Sequence, residues 1–136
     1  MTRHWNLTIT PETVRYIIAL AHRFDVKDVV TEPDPGSNAA DDDMRSVLED
    51  HSDDAVGAIM VRAIRDLNQD EQIDLVALTW LGRGDSGFET WHDLRAEAAR
   101  DYNPRTTVRY LMETPLLADY LTEALAQFGR GAEPPP

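Results

Sequence analysis

The chain has no cysteine, a single lysine (Lys27), and no apolar run approaching the roughly twenty residues that cross a bilayer. The first absence removes disulfides, thiolate zinc sites and cysteine nucleophiles together. The third, with a beginning (Met1-Thr-Arg-His-Trp-Asn-Leu-Thr8) that has no apolar stretch of leader-peptide length, sets the expectation of a cytoplasmic protein with no membrane partner. Positive charge is also scarce: 13 Lys and Arg stand against 25 Asp and Glu, for a net charge of -12. Neutralising phosphates needs a basic face, so this charge argues against nucleic-acid binding and leaves a DNA-mimicking acidic surface open. No repeat at solenoid periods occurs, and the only low-complexity stretch is the terminal Pro134-Pro-Pro136.

The negative charge is unevenly spread. Between Asp25 and Asp54 there are eleven carboxylates and two bases, Lys27 and Arg45, so thirty residues hold nine of the twelve net charges. Carboxylates this crowded repel one another unless solvent, a cation or a basic partner offsets the repulsion.

At 136 residues, 42% of them hydrophobic, the length suits one domain that removes roughly two-thirds of its unfolded surface from water without staples. The periodicity is helical almost throughout. Three capping residues followed by proline, Thr10-Pro11, Asn103-Pro104 and Thr114-Pro115, predict three helix starts. From Pro11 the stripe Val14, Ile17, Ile18, Ala21 and Phe24 predicts a first helix ending near Asp25 to Asp28, preceded by residues in which Trp5, Leu7 and Ile9 alternate, as suits an extended arm docked on the body or at most a short strand with no obvious partner. Pro33 to Asn38 reads as a rigid loop with a type II turn at Pro35-Gly36, followed by a short helix whose inner face is Ala40, Met44, Val47 and Leu48. A helix capped by Ser52 presents Val56, Ile59, Met60, Ala63, Ile64 and Leu67. Asn68 and Glu71 form a capping-box pattern that opens a helix from Gln69 to Leu81, apolar on more than one side and so expected at the centre.

Gly82 to Gly87 closes that helix. Then follow an inward stripe of Phe88, Trp91, Leu94, Ala98 and Tyr102, a short helix from Pro104 to Glu113, and a last one with Leu116, Leu117, Tyr120, Leu121, Ala124, Leu125 and Phe128 facing inward up to Gly129. The expected fold is an all-α, single-domain orthogonal bundle of about six helices over residues 1–129, with a short extended N-terminal arm and a disordered Pro-rich tail over 130–136.

Several letter patterns suggest chemistry that their context denies. Asp50-His51-Ser52 has the residue types of a hydrolytic triad, but contiguous residues cannot align nucleophile, base and orienting carboxylate. Gly82-x-Gly-x-x-Gly87 matches a dinucleotide fingerprint but follows a helix where the fingerprint needs a strand. Arg83-Gly84-Asp85 reads as a turn. Glu89 and His92 have the i, i+3 spacing of a di-iron ligand pair, yet the partner ligands on other helices do not exist. His4, His22 and His51 stand alone. The acidic cluster around Asp41, Asp42 and Asp43 lacks the alternation and closing glutamate of an EF-hand loop, and consecutive aspartates on a helix diverge by about 100°. These readings give no catalytic residue, cofactor or metal ligand. Arg95, Arg100, Arg105 and Arg109 form the one basic grouping, suited to pinning the Pro-rich loop by charge pairing or to holding an anion near a helix start.

Phe24-Asp-Val-Lys-Asp28, Thr31-Glu-Pro-Asp-Pro-Gly-Ser-Asn38, Met44 to Asp50, Asp70-Glu-Gln72, the string Leu75 to Asp85, and Thr114-Pro-Leu-Leu-Ala-Asp-Tyr-Leu121 together resemble a small bacterial family, the domain of unknown function 3775. The resemblance runs from about Leu7 to Gly129. It implies no activity, cofactor or catalytic residue, and places the loop Thr31 to Asn38 and the turn Leu81 to Asp85 in the family's pattern.

The function expected is that of a non-enzymatic interaction or regulatory module. Its working surface would combine Glu32, Asp34, Asp41, Asp42, Asp43 and Asp50 with Arg83 and Asp85, and its partner would be a protein with a basic surface. The alternative is a divalent-cation-dependent enzyme or binding protein using the clustered Asp and Glu.

Overall fold

The computed structural model describes residues 7–30, 55–84 and 91–129, with the side chains of 25–30 left undescribed. Six helices carry them: α1 (Pro11–Val30), α2 (Ala55–Arg65), α3 (Gln69–Arg83), α4 (Trp91–Asp101), α5 (Thr107–Met112) and α6 (Leu117–Gly129), with no strand among the described residues. The fold is an all-α bundle. The tail 130–136 and the short acidic helix expected after Asn38 lie outside the described residues.

α3 is the axis of the bundle. Every residue from Gln72 to Thr79 is buried, as is Leu81, so the helix has no solvated side over two turns. It packs on α6, α4 and α5, while α1 packs on α6 and α2. One core joins them, with Ile17, Ile64, Leu75, Leu78, Leu81, Leu111 and Leu121 fully enclosed. Between α4 and α6, Trp91 meets Phe128 edge to face with centroids 5.3 Å apart, an arrangement that adds to the area it buries.

Local chemistry explains the helix starts. Thr10 Oγ1 accepts the Thr13 amide at 3.1 Å, so α1 begins at Pro11 as the cap-proline pair predicts. The Asn68 side chain accepts the Glu71 amide at 2.8 Å and the Glu71 carboxylate accepts the Asn68 amide at 2.9 Å, completing the capping box of α3.

The other two cap-proline pairs behave differently. Asn103 Oδ1 accepts the Arg105 amide at 2.8 Å and shapes a turn, and the regular helix begins only at Thr107. Thr114 Oγ1 donates back to the Tyr110 carbonyl at 2.7 Å, so it completes the end of α5 and does not cap α6. α6 starts at Leu117 after Leu116, the one non-glycine residue among those described with positive φ, at 62°. That left-handed step turns Leu117 into the core and leaves Leu116 half exposed, against the inward stripe expected of it. In α2 the inward face is rotated likewise: Val61 is buried and Ile59 is exposed. α1 continues to Val30, beyond the turn expected at Asp25 to Asp28.

Gly82 and Gly84, close after Leu81, have different roles. Gly84 is a left-handed C-cap with φ 99°, its amide bonded to the Trp80 and Leu81 carbonyls. Gly82 is still inside α3, where a Cβ would fall on the backbone carbonyl of Tyr120. It is glycine because α3 and α6 touch backbone to backbone there.

Candidate functional site

Five polar or charged side chains are buried among the described residues: Gln72, Asp74, Thr79, Thr107 and Thr114. Three are threonines that bond a helix or turn carbonyl four residues back, as Thr79 does to Leu75 at 2.8 Å. Gln72 donates to the Ile64 carbonyl at 2.9 Å and accepts from the Tyr102 hydroxyl at 2.8 Å, tying the ends of α2 and α4 to α3. The same burial raises the Tyr102 phenol above its ordinary pKa of 10.0, because the desolvated site disfavours phenolate.

Asp74 is the one charged member of the five. It sits in the middle of α3 with 1% of its surface exposed. One carboxylate oxygen accepts the backbone amides of Thr8 at 2.7 Å and Ile9 at 3.2 Å. The other accepts Arg95 Nε at 2.8 Å from α4, and the same guanidinium reaches the Asp70 carbonyl at 3.4 Å and carboxylate at 3.5 Å. A buried charge is tolerated only when paired and hydrogen-bonded, and both conditions are met. The residues ahead of α1 therefore dock on the body, bent at Thr8 and Ile9 where an extended arm is expected, through a carboxylate set inside an apolar run of the sequence.

A second cluster lies at the other end of α3. Tyr110, on α5 and 37% exposed, accepts from Trp80 Nε1 at 2.9 Å and from Arg83 Nη1 at 3.4 Å. The three side chains form an aromatic and guanidinium patch beside the Gly84 cap.

Of the surface expected to work, the structure describes Arg83. Glu32, Asp34, Asp41, Asp42, Asp43, Asp50 and Asp85 lie outside the described residues. The arginine grouping separates: Arg95 belongs to Asp74, Arg109 Nε meets Glu113 at 3.1 Å one turn on, and Arg100 and Arg105 are exposed with no ion pair among the described residues. His22 and His92 are exposed on α1 and α4. Among the described residues no three His, Asp or Glu side chains are grouped as a metal shell, and no helix is long and apolar enough to cross a membrane.

The family model described as "Protein of unknown function (DUF3775)" matches residues 58–130, just over half of the chain. The match takes in most of α2 and all of α3 to α6. The strings resembling it before residue 58 lie outside it. No curated protein and no solved structure matches the chain.

Proposed function

The chain belongs to the DUF3775 family of proteins of unknown function, and from that premise we propose that it is a non-enzymatic interaction module that docks a basic protein partner. The observation that carries this reading is the Trp80, Arg83 and Tyr110 patch. Trp, Tyr and Arg are the side chains that most often concentrate binding energy, and here their hydrogen bonds hold the rings and guanidinium in place before any partner arrives. The buried polar groups point the same way, because each is occupied by backbone or by another side chain within the fold. The nine net negative charges of Asp25 to Asp54 would steer a basic surface toward the molecule, raising the association rate more than the affinity.

Partner capture from the native cell tests this with three baits: the wild-type chain, Asp41→Asn/Asp42→Asn/Asp43→Asn, and Arg83→Ser/Tyr110→Ala. A basic protein retained by the first and lost from both variants, with helical circular dichroism unchanged, is the expected result. The reading fails if both variants retain whatever the wild type retains. It also fails if chelator lowers the unfolding midpoint and one divalent cation restores it, which would support the cation-dependent alternative.

A further inference from the structure

Two neighbouring helices leave their positive charge unanswered. α1 and α2 pack on each other and turn their inner sides into the common core, so their outward sides adjoin. Those sides carry Arg15 and Arg23 on α1 and Arg62 and Arg65 on α2, all exposed and none with an ion pair among the described residues. The exposed carboxylates described on or just after these helices are Glu12 and Asp66, so the four arginines leave this surface positive in a molecule of net charge -12. The same helices hold two of the four large apolar side chains exposed among the described residues, Tyr16 at 53% and Ile59 at 43%. Helical spacing sets these groups in line: Tyr16 lies two turns before Arg23, and Ile59 one turn before Arg62. A place near the negative end of the α2 dipole accounts for Arg62 and Arg65. It accounts for neither the α1 arginines nor the two apolar side chains.

We propose that the outward face of α1 and α2 docks an acidic amphipathic helix of a partner protein, its carboxylates on Arg15, Arg23 and Arg62 and its apolar stripe on Tyr16 and Ile59. Charge selects the acidic occupant, because a guanidinium takes a carboxylate in a two-pronged hydrogen-bonded pair. Spacing selects a helix, because contacts repeated along two packed helix axes fit a third helix laid over them. A nucleic acid is the poorer fit: its charge would run past this face onto a molecule that is acidic elsewhere, whereas one helix brings its carboxylates to the arginines alone. The face uses no residue of the Trp80, Arg83 and Tyr110 patch, and the inference does not rest on that reading.

The test uses the full chain and a fluorescent peptide of about twenty residues, long enough to hold a helix, with Leu and Ala along one stripe and Glu on the rest. Binding is followed by anisotropy. Arg15→Gln/Arg62→Gln should weaken it about tenfold or more, and Tyr16→Ser/Ile59→Ser by a similar factor. Arg100→Gln/Arg105→Gln changes net charge equally at two exposed arginines that also have no ion pair among the described residues, and should leave the affinity at the wild-type value, as should Leu116→Ser. All these positions are exposed, and unchanged circular dichroism confirms that each variant folds. Equal losses from the two arginine pairs, or no loss from Tyr16→Ser/Ile59→Ser, reduces the effect to net charge and overturns the proposal. So does a wild-type chain that does not bind the peptide. In that event, binding that appears in Asp41→Asn/Asp42→Asn/Asp43→Asn gives the face to the chain's own carboxylates, and sedimentation showing a dimer that Arg15→Gln/Arg62→Gln dissociates gives it to a second copy.

Discussion

Asp74 shows how one side chain can set the position of a whole segment. Its carboxylate replaces the ladder or helix partners that the Thr8 and Ile9 amides lack, and Arg95 makes the burial affordable. Removing the partner of an enclosed charge leaves that charge uncompensated, so Arg95→Ala, which strips the counter-charge from Asp74, should lower stability by about 3–5 kcal/mol in urea unfolding. Asp70→Ala, which removes an exposed and longer contact to the same guanidinium, should change it by under about 1 kcal/mol. Equal losses would mean that the pair does not hold the arm. Gly82 and Leu116 make a matched contrast in backbone chemistry. Gly82→Ala forces a methyl onto the Tyr120 carbonyl and should cost about 2 kcal/mol or more through separation of α3 from α6. Leu116→Gly relieves a left-handed leucine whose side chain is half in water, and should be neutral or stabilise by up to about 1 kcal/mol.

At the scale of elements, caps with similar letters have different worth. Asn68→Ala breaks both halves of the capping box of α3 and should cost about 1 kcal/mol by chemical denaturation. Tyr102 links α4 to α3 through Gln72, and its raised pKa gives that link a pH signature. The folded state holds the phenol proton more tightly than the unfolded chain, whose tyrosine titrates near its ordinary value of 10.0. Between that value and the raised one the folded state binds more protons, so stability is fully present below about pH 10 and falls as pH rises through this window. Tyr102→Phe should flatten that alkaline fall in thermal unfolding; an unchanged slope would locate the proton elsewhere.

For the molecule as a whole, net charge of -12 opposes compaction, and added salt should raise the unfolding midpoint by screening it. The sharpest local test is the Asp25 to Asp54 segment, argued from charge alone. If Asp42 and Asp43 face solvent or a partner, Asp42→Asn/Asp43→Asn should leave stability unchanged or slightly higher, most visibly at low salt, whereas Glu32→Gln should lower it if Glu32 pairs with an arginine. A larger loss from the double variant, measured by salt-dependent unfolding, would reverse those roles.

The sequence by itself determined the helical class, the central place of α3, the capping box at Asn68 and Glu71, and the start of α1, because each depends on neighbours within about four residues or on a period of 3.6. What tertiary structure alone decided is where side chains spaced far apart meet. Asp74 looks like a polar interruption in an apolar helix until Thr8, Ile9 and Arg95, 66, 65 and 21 residues away, converge on it. Gly82 looks like a helix terminator until the Tyr120 backbone is brought against it. Thr114-Pro115 has the letters of an N-cap, yet the reversal from α5 to α6 requires a left-handed Leu116 and turns the threonine back to Tyr110. Each of these outcomes follows from three-dimensional proximity, which no local periodicity encodes.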